Sequence, residues 1–138
     1  MTFGFLDAAL LLRERGGYEY VVLHLLCQAL EIIGKAFLLW RNYEKYAGSL
    51  RKNLGHDLEK LVTTTHGEFG LHEPSGAFSA ELKTLNELYK AHRLRYGSGF
   101  DILVDPTSMA SGAILRKVRA AVRLGRRHLH PSVIRSAE

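Results

Sequence analysis

Cysteine is nearly missing from this chain. Cys27 is the only one in 138 residues, so no disulfide can close within the chain, and a reducing compartment suits it. Its setting among aliphatic residues reads as an inert buried thiol. The N-terminal stretch MTFGFLDAALLLRERGG lacks a basic n-region and carries Asp7 within a short apolar run, which argues against a secretory leader. Internal repeats and low-complexity tracts are absent as well. No Cys/His spacing matches a closed zinc site: His66 and His72, with Glu68 and Glu73, and His128 and His130 read as scattered surface histidines. No metal or other cofactor is expected. The GSGF stretch at 97–100 has no strand before it and no helix opening after it, so it marks a turn rather than a phosphate loop.

What is present is helical. The stretch 18–46, YEYVVLHLLCQALEIIGKAFLLWRNYEKY, places His24, Gln28, Glu31, Lys35 and Asn42 on one narrow polar stripe at about 100° per residue. The rest of its circumference is apolar, and a helix apolar nearly all round has to be surrounded by other elements. It is long enough to span a bilayer. Placing Glu31 or Lys35 there would cost roughly 2.5 to 3.5 kcal/mol per central charge, so a buried core helix without a membrane is the expectation. A first short helix is expected over 5–15, stopped by Gly16-Gly17. A short helix restarts at Asp57 as N-cap, and its length is limited by the poor helix formers Thr63 to Thr65. HGEFGLHEPSG reads as loop, and Ser79 as the cap of a helix reaching about Arg95 with Leu82, Leu85, Leu88 and Tyr89 inward. FDILVD is a lone extended run, and Asp105-Pro106 is a start signal for a last helix over about 108–129. Pro131 ends that helix, leaving 131–138 as a flexible tail. The expected fold is all-α, an up-and-down bundle of four to five helices forming one domain over 1–130.

Charge is unevenly placed. The formal net charge is +5. From residue 113 onward there are seven basic residues against Glu138 alone, whereas the remainder holds twelve basic and thirteen acidic. Arg116, Arg119, Arg123, Arg126 and Arg127 share one face of the last helix with no acid among them. Such a face suits nucleic-acid phosphate or an acidic protein partner about as well as plain solvation. The face itself has no aromatic residue, which points to backbone contact.

The central pattern, Gln28-Ala29, Glu31, Lys35-Ala36, followed by His56-Asp57-Leu58 with Leu61 and then by Arg95-Tyr96, resembles the HEPN domain, the nucleotide-binding domain of higher eukaryotes and prokaryotes. The resemblance spans roughly 18–96 and rests on order and spacing rather than on any one motif. It implies a cytoplasmic, prokaryotic helical bundle that binds a nucleotide or RNA. It also implies a homodimer, and work beside a nucleotidyltransferase-type partner or in toxin-antitoxin and defence systems. His24, Gln28, Glu31, Lys35, Arg93, Arg95 and Tyr96 are the candidate ligand-binding residues, with basic groups suited to phosphate. The bland reading of Glu31 and Lys35 is an i, i+4 ion pair.

Arg51 and His56 satisfy the Arg-x4-6-His spacing of HEPN ribonucleases. In those enzymes the resemblance implies metal-independent RNA cleavage, with His as acid or base and Arg on the phosphorane. Lys52 follows the Arg, and the pair lies after the second helix rather than near the last one. Both are departures from that motif, so a binding module ranks above a ribonuclease. A non-catalytic adaptor docking an acidic partner is the third reading.

Overall fold

The computed structural model describes residues 4–90 and 111–138, apart from the side chain of Arg51. Among the described residues the chain is all-α, with no strand: α1 (Gly4–Glu14), α2 (Glu19–Arg41), α3 (Tyr43–Tyr46), a π-helical turn (Leu50–Leu54), α4 (Leu58–Glu68), α5 (Gly76–Lys90), α6 (Gly112–His128) and α7 (Pro131–Ala137). The segment FDILVD, the start signal at Asp105-Pro106 and the expected end of the fifth helix near Arg95 lie outside the described residues.

α2 is the central post that its sequence requires. It packs against α1, α4, α5, α6 and α7, and Tyr20, Leu23, Leu26, Cys27, Ala29, Ile33, Ala36 and Leu38 on it are all at most 1% exposed. By length and composition α2 could cross a membrane, but 67% of its most apolar window is buried by the rest of the protein. One continuous core joins residues of α1 through α7, from Leu6 to Ala137.

Two glycines shape the packing near the functional residues. Gly55 has φ +49, in the left-handed region that favours glycine, and turns the chain from the π-helical turn into α4. Gly125 lets α6 approach α2: a Cβ there would sit 2.9 Å from Ile33 Cδ1. α6 begins where Glu81 of α5 reaches its free amides, with Oε1 accepting from Ala113 N at 2.9 Å and Ile114 N at 3.2 Å. That carboxylate satisfies orphan donors at the positive end of the helix and ties α5 to α6.

The structure differs from the sequence expectation in three places. The residues at 131–138 are not a loose tail, because α7 buries Ile134 and Ala137 against α2. Pro131 takes the first helical turn, where its missing N–H costs nothing, and His130 Nδ1 accepts from Ser132 N to cap it. α4 runs through the threonines to Glu68, and the Thr64 and Thr65 hydroxyls bond back to the carbonyls of Lys60 and Leu61. α5 starts at Gly76, ahead of Ser79, and the element count exceeds the expected four to five helices.

Candidate functional site

The polar stripe of α2 meets the start of α4 and the end of α5 at one carboxylate. Glu31 is 8% exposed. Its Oε1 accepts from His56 Nδ1 at 2.7 Å and from the Tyr89 hydroxyl at 3.0 Å. Its Oε2 pairs with Lys35 Nζ at 3.2 Å, one turn along the same helix. A buried carboxylate needs such partners, because an unpaired charge there would cost several kcal/mol. The Tyr89 ring lies against both histidines of the site, with centroids 5.5 Å from His24 and 5.7 Å from His56. Gln28, one turn back from Glu31, is half-buried.

His56 is placed by the helix that follows it. Asp57 caps α4, its side chain accepting from Lys60 N at 3.2 Å. Leu58 is fully buried, and its amide donates to Asn86 Oδ1 at 2.6 Å. Asn86 Nδ2 donates to Asp57 Oδ1 at 2.9 Å and to Glu59 Oε1 at 3.3 Å. Partial burial pushes the Asp57 carboxyl up. The bonds from Asn86 and from the Lys60 amide outweigh it and hold the group below its ordinary value. Asn86, 1% exposed, thus pins the first turn of α4 to α5, and His56 sits immediately before that turn with its side chain 47% exposed.

The structure therefore brings Glu31, Lys35 and His56 together, with His24 beside them. Lys35 is only 7% exposed and already paired, so it neutralises Glu31 instead of offering its charge outward. Arg51 belongs to the π-helical turn, and its side chain is not described; Arg93, Arg95 and Tyr96 lie outside the described residues. Sequence reasoning placed Tyr89 in the core without its hydroxyl partner. The signal was there, since a buried tyrosine hydroxyl seeks a hydrogen bond. Asn86 was missed altogether, although an amide at an i, i+4 register position from Leu82, between Leu85 and Tyr89, is the pattern of a buried polar anchor.

The arginine face is a separate surface. Arg116, Arg119, Arg123, Arg126 and Arg127 are all exposed, and among the described residues no acid lies within 4 Å of any of them. α6 meets α2 at Ile33 and Trp40, which at about 100° per residue fall on the far side of α2 from Glu31. At the start of α6, a cavity of about 490 Å³ is lined by His66, Glu73, Phe78, Arg116 and Lys117. Lys117 Nζ lies 5.5 Å from the centre of the Phe78 ring, and burial pushes its ammonium down from the ordinary lysine value.

Elsewhere, the Cys27 thiol is pushed up, first by burial and then by the charge of Glu31. His66 Nδ1 lies 2.8 Å from the His72 carbonyl, and among the described residues no three of His, Cys, Asp and Glu are grouped to hold a metal. Comparison with known protein families, with curated proteins and with solved structures finds no match to this chain.

Proposed function

We propose that this chain is a HEPN-like binding module for a nucleotide or RNA phosphate, with its ligand-facing edge at His56. The observation that carries this reading is the 2.7 Å bond from His56 Nδ1 to the buried Glu31 carboxylate, on a ring whose side chain is 47% exposed. With Nδ1 donating to the carboxylate, the ring is held in one orientation and one tautomer, as a ligand-positioning imidazole requires. Nε2 accepts a hydrogen bond when the ring is neutral and donates one to a phosphate oxygen when both nitrogens are protonated. Homodimerisation, a nucleotidyltransferase-type partner and a place in a toxin-antitoxin or defence system go with this reading through the resemblance alone.

The same anchoring supports the ribonuclease alternative, because a carboxylate-oriented imidazole is the arrangement that general acid–base catalysis uses. A thermal-shift screen of nucleotides and inorganic phosphate tests the binding reading. Stabilisation by a nucleotide that His56→Ala abolishes supports it, and no shift with any of them overturns it. Incubation with RNA in chelator tests the enzyme, where cleavage by the parent and not by His56→Ala is the expected sign of catalysis. An adaptor would show neither result and would instead bind an acidic protein.

A further inference from the structure

Nearly half of Trp40, 47%, is open to solvent, and it is the only tryptophan in the chain. It sits at the end of α2, where it stacks on Phe69 with ring centroids 6.2 Å apart and planes within 9°. Phe37 meets Phe69 edge-on at 5.9 Å, and Arg41 lies 5.8 Å from the Phe69 ring centre. The His128 ring, at the last residue of α6, lies 6.3 Å from Trp40. These rings form a supported aromatic platform next to the C-terminal end of the arginine helix.

The two features are continuous. At about 100° per residue, Leu124 lies between Arg127 and His128 around α6, and Leu124 is 49% exposed. A path across the surface therefore runs from the arginines over Leu124 to His128 and Trp40. From Arg116 to Arg127 the basic stripe covers about 17 Å at 1.5 Å rise per residue. The carboxylates of an acidic protein match the arginines but are repelled by the negative face of the indole at their end. A single nucleic-acid strand uses both, because its phosphates meet the guanidinium groups and any base has a face to stack.

We propose that α6 and the Trp40 platform form a binding surface for single-stranded nucleic acid, with Arg116, Arg119, Arg123, Arg126 and Arg127 on the phosphates and an unpaired base stacked on Trp40. This surface lies on the far side of α2 from Glu31 and works independently of the His56 edge. Recognition is tolerant of sequence, because it rests on charge and stacking and not on base-edge hydrogen bonds.

The test uses the full chain and a labelled oligouridylate of about ten nucleotides, within the site sizes of single-strand binders. Binding is expected to quench the fluorescence of Trp40 directly. Trp40→Leu is expected to weaken binding roughly 5- to 150-fold, the range for losing one stacked base, with the salt dependence unchanged. The exposed pair Arg123→Gln with Arg127→Gln is expected to flatten the slope of log affinity against log salt by about 1.4, two phosphate contacts on a single strand. Circular dichroism on each variant establishes that it is folded, and the arginine pair, wholly on the surface, keeps the test open if Trp40→Leu is unstable. His56→Ala is expected to bind the probe as the parent does, so failure here and failure of the His56 reading are separable.

Three results would overturn the proposal. One is no binding at low salt. Another is binding of a duplex of equal length as tightly as the single strand, with no change in tryptophan fluorescence. The last is equal affinity for polyglutamate, which would make the face a docking surface for acidic protein.

Discussion

Asn86 offers the sharpest test of how the site is held, because Asn86→Asp keeps the shape and reverses the chemistry. The introduced carboxylate can still accept from Leu58 N, but it cannot donate to Asp57 and Glu59, which now accept from Asn86 Nδ2 at 2.9 and 3.3 Å. Two carboxylates about 4 Å apart repel by roughly 4 kcal/mol at an effective dielectric near 20. The nearby ammonium groups of Lys60 and Lys90 offset part of that. We expect a loss of about 2 to 4 kcal/mol at neutral pH, a large share of the roughly 5 to 15 kcal/mol that holds a domain folded.

Asn86→Ala is expected to cost a similar amount for another reason: it strands the fully buried Leu58 amide without its acceptor, about 1 to 3 kcal/mol, and opens a small cavity. Acidification separates the two variants. In Asn86→Asp the crowding of the two carboxylates raises their proton affinity, so as pH falls the pair takes up a proton, the protonated oxygen becomes a donor again, and stability rises. In the parent, Asp57 is held below its ordinary value. Its stabilisation is therefore complete above the unfolded carboxylate value and is lost only as pH falls through the lowered folded one. Urea melts at two pH values measure this as a shift in midpoint at constant slope. If Asn86→Asp matches the parent at neutral pH, or its deficit is the same at both, Asn86 is not the pin described here.

Glu31→Gln leaves the Lys35 ammonium, 8% exposed at its side chain, without its counter-charge, and should cost about 3 to 5 kcal/mol in urea denaturation. Adding Lys35→Met should recover most of the loss, and a strictly additive double variant would refute the pairing. Cys27, with no exposed surface and a thiol pushed up by burial, should react with iodoacetamide only as fast as the protein opens. Stoichiometric labelling of the native protein within minutes would contradict its position. Ile134→Ala should destabilise the chain by about 2 to 5 kcal/mol, as a core truncation does, whereas a loose tail would leave the melting temperature unchanged.

The helices were legible wherever an apolar period ran long enough to impose itself. α2 announced both its burial and its stripe. α6 showed its arginine face, and Asp57 was readable as a cap because a carboxylate before an apolar repeat has few other uses. The His56–Glu31 contact was readable only as a possibility, because 25 residues separate the partners and no local rule sets the angle between α2 and α4. α7 was illegible for a different reason. Proline ends one helix and opens another with equal ease, and seven residues carry too little periodicity to decide which. Trp40 is not singled out by the apolar period of α2. Its place beside His128 follows from where α6 ends, far downstream in the chain.

The central position of α2 also has a consequence for how the protein is made. This helix leaves the ribosome well before α6 and α7, which cover part of it. Until they arrive, a segment of the most apolar sequence in the chain has its final neighbours on one flank only. Such a nascent intermediate is prone to aggregate or to recruit a chaperone. α7, short as it is, thus works as a latch on the central helix.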